Sequence, residues 1–302
     1  MMQVERIALL RGGPSAEREV SLRSGAAVAR ALAALGHDVR EVDPEPGRLA
    51  LPPGTTAAFL ALHGTYGEDG QVQAELEALG IPYTGCGVEA SRLAFDKVLT
   101  RQACEVAGVP VARGRVVARA DEGWPEGWRP PVVLKPSRQG SSVGLQFVDD
   151  AGGWASALAE AFRHGSEVLM EERILGRETT VGILAGEALP VVEVRPRSGA
   201  YDYRNKYTPG ATEYFCPADL PLAVTQAVQG AALGAFRAVG GRDYARVDVM
   251  VTGEGRPVVL EVNTLPGMTE TSLLPKAAAA AGLDFGALCQ RLLSMALERR
   301  RR

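Results

Sequence analysis

The residues best placed to do chemistry lie late in the chain. They are Arg246-Val247-Asp248-Val249-Met250, a glycine-flanked turn at Gly253-Glu254-Gly255, and Val258-Val259-Leu260-Glu261-Val262-Asn263. Both arms alternate with the two-residue period of a strand. On the first arm Arg246 and Asp248 share a face. On the second Glu261 and Asn263 share one, with Leu260 and Val262 opposite. Folding the arms about the Glu254–Gly255 midpoint sets Asp248 against Glu261 and Arg246 against Asn263. Side chains paired in this way stand about 5 Å apart, and like charges there repel. Two facing carboxylates and an amide are oxygen donors of the kind magnesium takes together with phosphates. The other reading is a salt-bridged sheet face on which Arg246 neutralises the acids. The acids oppose each other across the register before either meets Arg246, which favours the metal.

A second element supplies positive charge. Lys135 ends the apolar run Val132-Val133-Leu134, and Pro136-Ser137-Arg138-Gln139-Gly140-Ser141-Ser142-Val143-Gly144 leads to the next strand. Glycine and serine leave backbone N–H groups open to anionic oxygens, and Lys135 adds a point charge at the root. A flexible hairpin loop is the plainer alternative. The element is strand–loop–strand, and the P-loop string G-x-x-x-x-G-K-[ST] is absent. Lys97 follows Asp96 at a helix start, and Glu171, Glu172 and Glu178 flank Arg173-Ile174-Leu175-Gly176. Spacing alone makes these surface residues, although glutamates beside such a segment can hydrogen-bond ribose hydroxyls. Two apparent motifs lead nowhere. Gly85-Cys86-Gly87-Val88-Glu89-Ala90 has the glycine spacing of a dinucleotide turn but no acid at the required distance, so it reads as a plain turn. Gly140-Ser141-Ser142-Val143-Gly144 has the spacing of a nucleophile elbow, yet only His164 follows it, on a surface-type helix.

These residues need a scaffold. Ile7–Leu10 reads as a buried strand, Ser21–Leu35 as a helix stopped by Gly36, and Val39–Val42 and Ala57–Leu62 as strands. That alternation argues for a small parallel α/β unit over residues 1–90. Residues 91–180 change character, with a helix over Phe95–Val106, strands at Val111–Val117, Pro131–Lys135, Leu145–Val148 and Glu167–Glu172, and a helix over Trp154–Arg163. Residues 181–302 hold two strands, the polar stretch Ser198–Pro217, a helix over Ala218–Val239, the hairpin and two terminal helices. A chain of 302 residues, 46% hydrophobic and 23% charged, can bury such cores. A net charge of −3 argues against a nucleic-acid surface. No run approaches the roughly 18 apolar residues of a membrane span. Cys86, Cys104, Cys216 and Cys289 form no C-x-x-C pair and read as free thiols of a reducing compartment. No signal-peptide core is present, so the cytoplasm is the expected location.

Together the motifs resemble the ATP-grasp superfamily, and within it the D-alanine–D-alanine ligases. The resemblance spans nearly the whole chain. Its carriers are Gly12-Gly13-Pro14-Ser15-Ala16-Glu17-Arg18-Glu19-Val20-Ser21, Ala61-Leu62-His63-Gly64 with Gly67-Glu68-Asp69-Gly70, Tyr83-Thr84-Gly85 and Asp96-Lys97. The Lys135 loop, Tyr201-Asp202-Tyr203 with Lys206-Tyr207, the hairpin, and Asn263-Thr264-Leu265-Pro266-Gly267-Met268-Thr269 complete it. Departures are mild: Gln139 stands where many relatives carry Glu, and Leu265 fills a variable position.

The resemblance implies an ATP-grasp fold of mixed α/β and α+β class. Its three domains would cover residues 1–90, 91–180 and 181–302, with ATP gripped between the last two. It implies that one D-alanine carboxylate attacks the γ-phosphate of ATP and that the amine of a second D-alanine attacks the resulting acyl phosphate, giving a peptidoglycan precursor. Carried over residue by residue, Lys97, Lys135 and Lys206 meet the polyphosphate, and Glu171 and Glu178 meet the nucleoside. Asp248, Glu261 and Asn263 hold two magnesium ions, or manganese in their place. Arg246 and the Gly267 N–H stabilise oxyanion charge. Glu17 takes the first substrate's ammonium and His63 orients that substrate. Ser272 and Leu273 open a helix that seats the second carboxylate. Ser141 and Tyr207 link to Glu17 when a loop over about residues 198–217 closes. A homodimer is implied, with no nucleic-acid or membrane partner.

The Lys206-Tyr207 pair resembles the dipeptide-forming members rather than those that join D-lactate. D-Alanine is therefore expected to outcompete D-lactate as second substrate at neutral pH, read as product mass in a mixed assay; comparable rates would contradict this.

Overall fold

The computed structural model describes residues 4–140, 143–197 and 210–300, organised on three sheets. β1 (Arg6–Leu10) is the middle strand of a parallel sheet, between β2 (Asp38–Val42) and β3 (Ala57–Leu60). Such a strand is covered on both faces, which is why Ile7 to Leu10 form one continuous apolar run and are fully buried. Helix Arg18–Ala34 turns Ser21, Ser24 and Gly25 inward, and these small residues let it lie close to the sheet. A Cβ on Gly25 would fall 2.5 Å from Arg11 Cδ. The loop joining β1 to this helix lies beyond the strand's C-terminal end, where ligand loops of α/β sheets gather.

β4 (Gly114–Val117), β5 (Val132–Pro136), β6 (Gln146–Val148) and β7 (Val168–Glu172) form an antiparallel sheet in the order β4-β7-β5-β6. Its core of Val117, Leu134, Leu158, Met170 and neighbours is its own. The three tryptophans of the chain all sit here. Trp124 meets Trp154 edge-on at 5.2 Å, and the Arg113 guanidinium lies 4.3 Å over Trp128.

The third sheet is antiparallel and six-stranded. β8 (Gly176–Leu184), β10 (Val192–Pro196), β11 (Thr212–Phe215), β12 (Tyr244–Thr252) and β13 (Pro257–Asn263) run in the order β11-β10-β8-β12-β13, and β9 (Glu187–Ala188) pairs with β8. Helices Val88–Phe95, Lys97–Val106 and Leu222–Ala238 share its core. The last two helices, Leu273–Ala280 and Phe285–Arg300, instead bring Leu274, Leu288, Leu292 and Leu293 into the core of the first sheet. Arg299 reinforces that closure by donating to both oxygens of Asp243, at 2.6 and 2.7 Å. All four cysteines are free thiols. Among the described residues no helix is long and apolar enough to cross a membrane.

Several elements differ from expectation. The loop expected over about residues 198–217 holds strand β11 within its described part. The helix expected over Phe95–Val106 begins at Lys97, and an unexpected helix, Val88–Phe95, precedes it; the two part at Asp96, whose backbone is extended at φ −93°, ψ 109°. One Asp96 oxygen accepts the N–H groups of Val98 at 3.0 Å and Leu99 at 3.2 Å, which makes it the cap of the second helix. The other accepts from Arg138 Nε at 2.7 Å. The helix expected from Ala218 starts at Leu222, because Pro217 and Pro221 hold the preceding chain extended. Replacing Asp96 with Ala removes the cap and the arginine's partner together. A loss of about 1–2 kcal/mol in urea unfolding is expected; unchanged stability would refute that role.

Candidate active site

The β12–β13 hairpin pairs Arg246 with Asn263, Val247 with Val262 and Asp248 with Glu261, as the alternation predicts. Past Asp248 the register shifts, so that Val249 pairs with Val259 and Met250 with Val258. Leu260 is the extra residue of a β-bulge. The turn is centred on Glu254, half a residue earlier than the symmetric fold, and the bulge restores the expected pairing at the acids. It also corrects one expectation: Leu260 does not point away from Glu261. Both line one cavity together with Asp248 and Met250.

Asp248 is buried and engaged. Arg246 Nε donates to Oδ1 and Nη2 to Oδ2, each at 2.8 Å, and Asn263 Nδ2 donates to Oδ2 at 3.3 Å. The pairing of Arg246 with Asp248, weighed against a metal in the sequence, is therefore real. It does not remove the convergence of acids, since Glu261 lies directly opposite and 3.8 Å from Lys97 Nζ. The donors fit a small hard cation. Among the described residues no three His, Cys, Asp or Glu side chains form a cage. Magnesium needs none, because it is usually held by one or two carboxylates plus substrate phosphates and water.

Lys97 and Lys135 reach the same cavity from different elements. The Lys97 N–H donates to Ser137 O at 2.9 Å and its ammonium to Gln139 O, which ties the capped helix to the glycine-rich loop. Lys135 Nζ meets Glu171 Oε2 at 2.6 Å. Burial pulls the Lys135 pKa down, but Glu171, and beyond it Glu261 and Glu178, outweigh this and leave it above the ordinary lysine value. The cavity, about 420 Å³, lies between the four-stranded and six-stranded sheets and is walled by apolar Val133, Phe147, Ile174, Leu175, Met250 and Leu260. Glu171 and Glu178 both border it, with Glu171 committed to Lys135. At Gly176 the chain crosses from one sheet to the other so closely that a Cβ would lie 2.0 Å from Val251 O.

A second cavity shares Glu261 with the first and is bordered by Glu17, His63, Glu68, Arg246, Gly267 and Ser272. Leu273 and Asn263 line it too. A Cβ on Gly140 would stand 2.4 Å from Glu17 Oε2, so the glycine-rich loop and the N-terminal loop touch there. Ser272 sits at the N-cap position of helix Leu273–Ala280, but its Oγ turns back and accepts the Thr269 N–H at 3.0 Å instead of capping the helix. Both nitrogens of buried His63 are used. Nδ1 lies 2.9 Å from Leu265 O, which can only accept, so Nδ1 carries the proton. Nε2 then accepts from Ser24 Oγ at 3.1 Å, and that oxygen accepts the Met268 N–H at 3.1 Å. Burial holds the His63 pKa below its ordinary value. For Glu68, burial and then the neighbouring Glu17 push the carboxyl up to about 8, against the pull of the Gly64 N–H, Arg246 and the Leu265 N–H.

Residues 35–86 match the family profile described as D-ala D-ala ligase N-terminus, and residues 120–294 match D-ala D-ala ligase C-terminus. The chain belongs to the D-alanine–D-alanine ligase family. A D-alanine–D-alanine ligase of Syntrophotalea carbinolica is 48% identical over 297 residues, covering 97% of this chain and 96% of the relative. The crystal structure of the Bacillus anthracis D-alanine–D-alanine ligase complexed with ATP matches with a TM-score of 0.85 at 33% identity, over 99% of each chain. The VanG D-Ala:D-Ser ligase from Enterococcus faecalis matches with a TM-score of 0.84 at 27% identity, over 97% of this chain and 99% of that one. The ligase fold is thus the ATP-grasp architecture that the motifs imply.

Of the expected site residues in this ligase, Glu17, His63, Lys97, Lys135, Glu171, Glu178, Arg246, Asp248, Glu261, Asn263, Gly267, Ser272 and Leu273 border the two cavities. Ser141, Lys206 and Tyr207 lie outside the described residues. Sequence reasoning missed Leu260 and Met250, which the bulge and strand alternation bring to the first cavity, and Glu68, in the second. A carboxylate in the glycine-rich segment after β3 was the available signal for Glu68. Folded Glu68 keeps its proton up to about 8, whereas an unfolded chain releases it near 4.5. Rising pH across that interval therefore favours unfolding. Glu68→Gln should flatten this decline, measured as the urea midpoint from pH 5 to 9 (roughly the interval over which the linkage acts); equal slopes in variant and parent would count against it.

Proposed function

We infer that this ligase joins two D-alanines into D-alanyl-D-alanine while ATP is cleaved to ADP and phosphate. One observation carries the reading: on the hairpin Asp248 borders the first cavity, Arg246 borders the second, and Glu261 borders both. A triphosphate in the first and amino acids in the second then meet at these side chains.

A free carboxylate has a poor leaving group. An oxygen of the first D-alanine's carboxylate attacks the γ-phosphorus, the bond to the bridging oxygen breaks, and ADP departs. The second D-alanine's amine attacks the acyl carbon, phosphate leaves with the bonding pair, and the nitrogen loses its proton. Lys97 and Lys135 spread positive charge along the polyphosphate. Glu17 binds the first ammonium. Arg246 and the Gly267 N–H face the oxyanion, and the helix start at Ser272 and Leu273 holds the second carboxylate. His63 is a positioning residue, since its nitrogens tie Leu265 and Ser24 rather than substrate. Asp248, Glu261 and Asn263 would hold magnesium or manganese, which when bound neutralises phosphate charge. Lys206, Ser141 and Tyr207 keep the phosphate-binding and closing roles that the resemblance implies, and exclusion of water would protect the acyl phosphate. Glu171 and Glu178 border the nucleoside's side of the cleft. The resemblance supports three domains near residues 1–90, 91–180 and 181–302, although β8, the helices Val88–Phe95 and Lys97–Val106 and the two terminal helices pack across those bounds. The family resemblance further supports a homodimeric, cytoplasmic enzyme that feeds peptidoglycan assembly.

D-Alanine should stimulate phosphate release from ATP and yield a product of dipeptide mass, with L-alanine inert. Asp248→Asn and Glu261→Gln should each lower magnesium-dependent turnover about 100-fold or more; turnover retained in both would remove the hairpin from the chemistry.

A further inference from the structure

Ser272 and Leu273 are not the only part of their helix to face the second cavity. Half-buried Lys276, one turn further on, lines it as well, and so does Tyr214 from β11. A long side chain on a helix leans back over the preceding turn, which brings the Lys276 stem toward the helix start. Its Nζ stands 5.7 Å from the centre of the Tyr214 ring. A ring face attracts the charge but does not take the three N–H donors as carboxylate oxygens would. Among the described residues the Lys276 ammonium forms no ion pair. The acids of the cavity are engaged elsewhere: Glu68 accepts the Gly64 N–H at 2.7 Å, Glu261 lies 3.8 Å from Lys97 Nζ, and Glu17 Oε2 stands against Gly140.

A lysine at this place is electrostatically unfavourable by itself. The N-terminal end of a helix carries partial positive charge and favours anions. Helix Leu273–Ala280 has no acid in its first turn and no side chain capping it. Pro275 has no N–H, and the Lys276 N–H donates to Ser272 O at 3.0 Å, which leaves the N–H groups of Leu273 and Leu274 at the helix start. The helix start and the ammonium thus put positive charge on one wall of the cavity, and no carboxylate of the described residues is paired with it.

We propose that Lys276 is a specificity residue for the second amino acid: its ammonium pairs with that substrate's carboxylate beside the helix start and makes a free carboxylate a condition of entry. The proposal rests on the reading of the second cavity as the amino-acid site. The two amino acids differ in what they must keep. The first gives its carboxylate to the γ-phosphate, whereas the second keeps its carboxylate as an anion and reacts only through its amine. A fixed cation therefore stays with the second carboxylate from binding to product without opposing any step. An ammonium on a flexible stem suits that task as a point charge. Its pull acts on ground state and transition state alike, which puts the effect in KM rather than in kcat.

Initial rates against D-alanine in wild type, K276M and K276R test this, with the two amino-acid sites resolved by their separate saturation. Methionine keeps an unbranched apolar stem and removes the charge. K276M should raise the KM for the second alanine about tenfold, with that for the first within about twofold of wild type, and K276R should recover part of the loss. An unchanged KM for the second alanine in K276M, an equal rise for both alanines, a folded K276M with no ligation, or K276R no better than K276M each overturns the proposal. Product masses from an equimolar mixture of D-alanine and D-alaninamide give a second readout. Wild type should join the amide less often than the amino acid, and K276M should narrow that ratio about tenfold. An equal ratio in both proteins overturns the proposal, and a wild type that joins both alike does so even if K276M does not fold. A wild type that forms no dipeptide from D-alanine strikes the ligase reading itself, and the proposal falls with it.

Discussion

Carboxylates are held face to face on a sheet, and none of them can stay there without a cation. Asp248 and Glu261 oppose each other in register, and Glu171 is buried on β7. Burying an unpaired charge costs far more than a pair returns, so the surrounding elements are built to bring positive charge to fixed points. Arg246 answers Asp248, Lys97 approaches Glu261, and Lys135 answers Glu171. The opposite face of the hairpin supplies the rigidity. Val247, Val249, Val259 and Val262 are buried in the core under helix Leu222–Ala238, so the acids are placed by packing rather than by their own interactions. A metal–triphosphate complex bound at such a site would have to exchange ionic partners with the charges already paired there.

The sequence made the acids legible because strand alternation is strict: one residue of slip would turn Asp248 into the apolar core and Val247 toward the cavities. The bulge was not legible. Val258-Val259-Leu260 is three apolar residues in a row, and nothing in their composition marks which one is extra. The helix Val88–Phe95 was hidden because the glycines just before it made the segment read as a plain turn, and the start of the next helix was placed at Phe95 although the preference of aspartate for helix caps marks Asp96. His63 was correctly placed beyond a strand end. Its partners Ser24 and Leu265 are 39 and 202 residues away, a separation that no local pattern encodes. The parallel sheet, by contrast, could be read directly from the unbroken apolar run of β1.

Those distant partners also show how the second cavity keeps its shape. Ser24, His63, Leu265 and Met268 are joined through hydrogen bonds between the first helix, the loop after β3 and the loop after β13. The core under the first sheet is completed by the two C-terminal helices, so the walls around Glu17 and Ser272 belong to one packed body. The four-stranded sheet has a core drawn from its own residues. The first cavity therefore lies between sheets with separate cores, whereas the second is closed where the loops around Glu17 and Ser272 meet the hairpin.

The placement of Trp124, Trp128 and Trp154 in that separate core has a practical consequence. Every indole of the chain reports on the sheet that roofs the first cavity. Arg113, stacked on Trp128, also lies 3.5 Å from Glu172 at the edge of the cleft. Tryptophan emission is thus a built-in optical gauge of one body alone, and the roof can be followed through a catalytic cycle without attaching a dye.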